Sequence, residues 1–351
     1  MDTLTHALSG ALLARATAPR ETGPAVLPLG RRVFVGALAA AFPDLDFISS
    51  YISPLSYLYH HRGVTHSLLF IPVWAFVIAT MLAVVWRMKP GWRAYIGIAA
   101  LGVAAHIAGD LITSYGTMVL APLSDRRFAL STTFIIDLWF SGIIITALLA
   151  SYFWRDLRAP AVTGLVVLAA YVGAQWLIQQ QVIEFGRRHA ASLGIRNATV
   201  TAVPRPVSSF NWTVVIDDGQ RYRYAHVNLI RREVRPPPKA DSGFIERLNS
   251  AYRPLDQAVW LQAARYGTTR DDASFAREAF SHAEFRFFRW FAAYPALLRI
   301  DGNGRERCAW FHDLRFTTPG RDATPFQYGM CKRDRAWQPF QLIGSAKAAV
   351  H

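Results

Sequence analysis

Charge is absent from long stretches of this 351-residue chain, and cysteine is scarce throughout. Residues 68–86, 138–154 and 159–183 hold no Asp, Glu, Lys or Arg, and residues 94–124 hold one, Asp110. A helix that crosses a bilayer needs about 20 mostly apolar residues, so these four stretches are read as transmembrane helices. The competing reading is one large soluble core, against which a hydrophobic fraction of 52% and a mean hydropathy of +0.17 both argue. Residues 4–14 and 33–42 are apolar but short for independent spans; they are expected as helices packed among the others or re-entrant. A basic leader is also lacking: the first residues are acidic and His6 interrupts the run, so a secretory signal is not expected here. With only Cys308 and Cys331, at most one disulfide can form. An exterior domain would join them, and two buried free thiols are the equal alternative.

No internal repeat or low-complexity segment interrupts the chain, and its length suffices for two domains. The expected fold class is an α-helical integral membrane domain, with four spans plus two shorter N-terminal helices, followed by an α+β extramembrane domain. The boundaries are residues 1–185 and 190–351. Charge divides along the same line: the first 184 residues hold 12 Lys/Arg against 9 Asp/Glu, the rest 26 against 15. A basic extramembrane domain suits anionic lipid headgroups. Nucleic acid is the rival partner, without a binding motif to support it, and a solvated basic surface explains the charge equally well. In this part, alternation predicts strands at 198–203, 212–216 and 222–230, with Asp217-Asp218-Gly219 as a hairpin turn. The run Arg235-Pro236-Pro237-Pro238 reads as a linker or rigid turn. Helices are expected at 244–267 and 273–288. Strands follow near 296–300, 307–311 and 326–332, with Gly302-Asn303-Gly304 turning between the first two.

What the oily half does contain is His6, Asp44, Asp46, His61, His66, His106 and Asp110. Ionisable groups there are costly and are usually functional. His106 and Asp110 stand at i, i+4 on one helix face, with Thr113 continuing the stripe. Two metal ligands and a simple His–Asp hydrogen bond would share this spacing. His61-Arg62-Gly63-Val64-Thr65-His66-Ser67 adds two imidazoles and a guanidinium just before a span. Thr65 or Ser67 would cap that helix, and Arg62 could grip phosphate or carboxylate in two-pronged fashion. Pro43-Asp44-Leu45-Asp46 places two acids where a helix ends, which the helix dipole disfavours; a cation would compensate. Asp2 near the first helix start is explained by capping.

Alternating helix directions bring all these candidates to one side of the membrane. The far side collects Arg15, Arg20, Arg31, Arg32, Arg87, Lys89, Arg93, Arg155 and Arg158. The candidate side holds Arg62, Arg126, Arg127, Arg187, Arg188 and Arg196. Nine against six favours a cytoplasmic far side and an exterior site.

The segments DTLTHALSGALLARA (2–16), PDLD (43–46), HRGVTHS (61–67) and HIAGDLITSYGT (106–117), in this order, make the chain similar to the YdjM-like family of membrane-bound, metal-dependent hydrolases, also described as LexA-binding and inner-membrane associated. The pattern WFHDLRF (310–316) and Pro325-Phe326 resemble the C-terminal domain of some members. The resemblance implies a bacterial inner-membrane protein with ligands at His6, Asp44, His61 or His66, His106 and Asp110. A more distant similarity is to zinc-dependent phospholipase C and the P1-type nucleases, whose ligand order runs His, Asp, His, H-x-x-x-D. Those enzymes continue with a further His and an H-x-x-x-E pair. This chain has no His between His106 and His189 and no such pair after it, so one or two metals are expected rather than three.

The function expected is hydrolysis of a phosphoester in a lipid or lipid-linked substrate. Zinc suits mixed His and carboxylate ligation, with manganese or iron as alternatives. It would activate water and polarise the phosphoryl oxygen. Asp46 or Asp44 would serve as general base, and Arg62, with Arg126 and Arg127, would offset phosphate charge. The alternative is a non-catalytic, metal-stabilised scaffold whose basic domain binds a partner. Ion transport is disfavoured, because its acids would be spread through the bilayer depth.

Overall fold

The computed structural model describes residues 1–20, 26–87, 91–239, 241–303, 305–321, 324–334, 336–344 and 346–350. Lys89 and Gly304, read above as a far-side charge and part of a turn, lie outside them. The chain divides into two compact units: Met1–Tyr51 with His60–Leu177, and Ile52–Tyr59 with Ile178–His351.

The first unit is helical. Helix α1 (Thr3–Ala16) starts where the Asp2 carboxylate accepts from the Thr5 N–H, as its capping role requires. Helix α2 (Leu29–Ala41) runs on as a 3₁₀ segment through Phe42–Tyr51. Together they make a stretch of 23 residues, long and apolar enough to span. The sequence marked this region as short because Asp44 and Asp46 look like a terminus, yet the helical path continues through both. After the short α3 (Pro54–His60) come α4 (Ile71–Val85), α5 (Arg93–Leu111), α6 (Leu138–Phe153) and α7 (Ala159–Ser192). Among the described residues, four stretches have span length and apolarity: Leu29–Tyr51, Leu68–Val85, Arg93–Leu111 and Ala159–Ser192. Helix α6, read from sequence as one of the four, has 16 residues and falls short. The expected span at 94–124 ends at Leu111, after which the chain turns and forms a bridge between Thr117 and Phe128.

Small residues let these helices approach. A Cβ on Gly10 would lie 2.1 Å from the Gly36 carbonyl oxygen, so α1 and α2 meet backbone to backbone. Tyr95, Ile98, Ala99 and Val103 of α5 pack with Val35 and Ala39 of α2 in one buried cluster. The ends of α1, α2 and α5 are thereby fixed against one another, which matters because they carry the unusual polar residues.

The second unit holds two antiparallel sheets in sequential order. The first comprises β1 (Thr199–Pro204), β2 (Asn211–Asp217), β3 (Arg221–Asn228) and β4 (Leu261–Ala264). Asp218 Oδ1 accepts from the Gln220 and Arg221 N–H groups in the expected hairpin turn. The second comprises β5 (Pro295–Asn303), β6 (Glu306–Asp313), β7 (Tyr328–Arg333), β8 (Ala336–Ile343) and β9 (Ala346–Ala349). The helix expected at 244–267 is only α8 (Phe244–Ser250). Pro254 stops its continuation, and Leu261–Ala264 pairs with Arg221–Tyr224 as β4. The helix expected at 273–288 is likewise two, α9 (Arg270–Ser281) and α10 (Arg286–Phe291), separated by the extended His282. Strands β8 and β9 were not foreseen; Pro339 inside β8 masks its pattern. Cys308 and Cys331 face each other in the β6–β7 register and are joined as a disulfide.

Candidate metal centre

Five side chains from four segments converge where α1, α2, α5 and the 64–66 turn meet. His6 lies in the first turns of α1, and Asp44 opens the 3₁₀ extension of α2. His66 ends the 3₁₀ turn Val64–His66, and His106 and Asp110 sit in the last turns of α5. His6, His66, His106 and Asp110 are fully buried, while Asp44 keeps 15% of its side chain exposed. Ligand atoms of His66, His106 and Asp110 lie within 4.8 Å of one another, as do those of His6, Asp44 and His106.

Hydrogen-bond accounting fixes which ring nitrogens carry protons. His106 Nδ1 is 2.6 Å from the Ala40 carbonyl oxygen, which can only accept, so Nδ1 donates and, in the neutral ring, Nε2 holds a lone pair. The Thr65 hydroxyl donates to Asp46 Oδ2 at 3.0 Å, so it accepts from His66 Nδ1, 2.9 Å away. His66 Nε2 then also carries a lone pair. The two Nε2 atoms nevertheless face each other at 2.8 Å. Asp110 Oδ2 lies 3.1 Å from His66 Nε2 and 3.5 Å from His106 Nε2, and receives no hydrogen bond. Three candidate ligand atoms thus lie close together in a buried place, an arrangement that a shared proton or a bound cation would stabilise. The donor set fits a divalent metal.

The other oxygen, Asp110 Oδ1, takes all the donors. The Met1 amino group contacts it, Arg62 Nη2 is 2.8 Å away and His6 Nε2 is 3.1 Å away. One carboxylate is therefore split into an anchored oxygen and an unanchored one. His6 stacks on His106 with ring centroids 3.7 Å apart, and its Nδ1 has no hydrogen-bond partner among the described residues. Gly109 leaves that ring its room, since a Cβ there would sit 3.1 Å from His6 Cε1.

Three sequence expectations are redistributed by this geometry. His61, read as a ligand, lies outside the cluster: its Nδ1 is 2.7 Å from Asp46 Oδ1. Asp46, read as general base, has both oxygens engaged: Oδ2 accepts from the Arg62 N–H and from the Thr65 hydroxyl, and it lies 3.3 Å from His66 Nδ1. It orients two imidazoles. Arg62, read as a phosphate grip, is buried behind Asp110, with Nη1 on the Thr113 hydroxyl at 2.9 Å. Its backbone adopts φ +62°, a left-handed conformation that β-carbon residues avoid and that clusters at functional sites. Arg127 donates to the Gly116 carbonyl oxygen, and Ser67 caps the next helix as expected. The contribution of Ala40 was missed, because a main-chain acceptor leaves no side-chain signal. A second grouping, Glu306 with Cys308 and Cys331, is closed to metal by the disulfide.

Helices of span length with a buried His–Asp centre at one end define a multi-span membrane protein. The YdjM inner membrane protein family matches residues 1–182, and the chain belongs to that family. The uncharacterized protein YfhP of Bacillus subtilis (strain 168) is 28% identical over 189 residues, 52% of this chain and 56% of that protein. The chain thus matches little more than half of that relative's length. No solved structure matches the chain.

Proposed function

We propose that the chain is a membrane-bound, metal-dependent hydrolase that cleaves a phosphoester in a lipid or lipid-linked substrate. The observation that carries this reading is the set of facing acceptor atoms, His66 Nε2, His106 Nε2 and Asp110 Oδ2, beside the part-exposed Asp44. His6, Asp44, His66, His106 and Asp110 would hold the ion, with zinc suited to the mixed set and manganese or iron to follow. When bound, such an ion supplies Lewis acidity toward a phosphoryl oxygen and activates water at neutral pH.

The chain's own residues supply the rest. Ala40 and Thr65, with Asp46 behind, hold the two imidazoles with Nε2 inward. Arg62 sets its guanidinium against Asp110 Oδ1 at 2.8 Å and so holds that carboxylate in place. Asp44 accepts from the Thr3 hydroxyl at 2.6 Å through Oδ2. Its exposed edge makes it the carboxylate positioned to take a proton from water. Leu4, Leu45, Ile48, Leu138 and Trp139 are exposed apolar residues at the same end of the helices, which suits a substrate held at headgroup depth.

An exterior position for the C-terminal unit is supported by the disulfide, which persists in oxidising compartments. The distribution of arginines agrees. The test is metal analysis of the purified full chain, of His106→Ala and of Asp110→Ala, with a phosphodiester and phospholipid hydrolysis screen. Stoichiometric metal and turnover in the parent, both lost on substitution, are expected. Metal retained in both variants overturns the ligand set; metal lost on substitution without turnover in the parent leaves a scaffold.

A further inference from the structure

A second feature of the helical unit is a groove of about 820 Å³ between α6 and α7. Gly142, Thr146 and Ala150, at successive i, i+4 positions of α6, face Thr163 and Gly164 of α7. The two helices touch where a Cβ on Gly164 would meet the Ala147 Cβ at 2.3 Å. Trp139 marks one end and Trp154 the other, 15 residues on, so the groove runs roughly 22 Å at the helical rise. Its lining is overwhelmingly apolar.

We propose that this groove seats the extended hydrocarbon tail of a lipid whose polar head lies at the metal centre. Three observations select that occupant. The groove is continuous with the lipid-facing surface of the helices, because lining residues Leu138, Trp139, Val167 and Trp154 are themselves exposed. Its length exceeds the roughly 15 Å depth of one leaflet, so it matches an extended tail rather than a headgroup. Its Trp139 end adjoins the first turn of α6, where the Ser141 hydroxyl is 2.9 Å from that of Thr5, the residue before His6. The proposal rests on the hydrolase reading for the identity of the head and deepens it by assigning the tail.

The experiment uses the full chain in nanodiscs containing a phosphatidic acid with a photoreactive diazirine near the tail terminus, mapped by mass spectrometry. Labelling concentrates on the groove residues over outward α7 residues such as Val166 and Leu177. It falls about tenfold, equivalent to about 1.4 kcal/mol, in Gly142→Leu or Ala150→Leu, which fill opposite ends, while metal content stays at the parent level. Uniform labelling of α6 and α7 that neither substitution changes overturns the proposal in favour of ordinary boundary lipid. Cross-linking of groove residues to a second copy of the chain overturns it in favour of helix packing. Groove labelling without turnover rejects only the hydrolase reading, and turnover with uniform labelling rejects only the groove.

Discussion

Asp110 in the helical unit and Asp313 in the C-terminal unit are both fully buried carboxylates, each beside an arginine. Asp313 receives donors on both oxygens. Oδ1 accepts from the Arg315 and Tyr294 N–H groups, and Oδ2 from the Ala293 N–H and Arg315 Nε. Nearby Arg205 follows the same pattern, with all three nitrogens spent on Thr213 and on the Arg315 and Leu314 carbonyl oxygens. Asp110 gathers its donors on Oδ1 and leaves Oδ2 facing two imidazole lone pairs. Burial and charge are alike in the two places. What differs is completeness: a polar cluster that serves the fold pairs donors with acceptors, whereas one that serves a ligand leaves acceptors for it.

That contrast breaks most visibly at Asp313. Asp313→Ala strands the Arg315 guanidinium and three main-chain N–H groups and is expected to cost about 3–5 kcal/mol of stability, with bound metal per folded chain unchanged. Chemical denaturation followed by metal analysis checks it, and a loss of metal would erase the distinction. Next in size, His106→Ala is expected to lower zinc affinity by more than about 100-fold, above the range for partners outside the ligand set. Competition with a chromophoric chelator measures it. Asp46→Ala should fall within that lower range, about 10–100-fold, because it frees two imidazoles to rotate without removing a ligand. An effect equal to that of His106→Ala would make Asp46 a ligand itself.

The most gradual effect is a pH dependence in the C-terminal unit. Burial, with the neighbouring Arg205 charge, pushes His226 down to about 3. The unfolded chain therefore binds a proton below about pH 6.5 that the folded one does not. Stability conferred by neutral His226 is present above that value and is lost as pH falls toward 3, by about 1.4 kcal/mol per pH unit. His226→Gln should flatten the thermal-unfolding profile over that window; an unchanged slope would show that His226 does not carry it.

Much of the architecture was legible because uncharged runs and alternation are local signals. Residues 68–86 and 159–183 announced their helices, and Asp217-Asp218-Gly219 its turn. Threading helix directions also brought the candidate residues to one end, since direction depends only on helix count. What stayed hidden depends on tertiary partners. His61 and His66 share one motif, and only the position of Asp46 and Thr65 shows that His66 turns inward while His61 pairs with the carboxylate. The role of Arg62 depends on which side of Asp110 it occupies. The path through Asp44 and Asp46 continues α2 because the segment carries on as 3₁₀ helix, which two acids do not suggest. Strand β4 emerged from a helix-like pattern because β3 offered it an edge, and the disulfide followed from strand register.

The central claim, that acceptors left unpaired in a buried cluster await a metal, is tested most directly by X-ray absorption on the zinc-loaded full chain. The account predicts nitrogen and oxygen ligation at about 2.0–2.1 Å, with imidazole scattering that diminishes in His106→Ala. Sulfur ligation at about 2.3 Å, or a spectrum unchanged by that substitution, would contradict it.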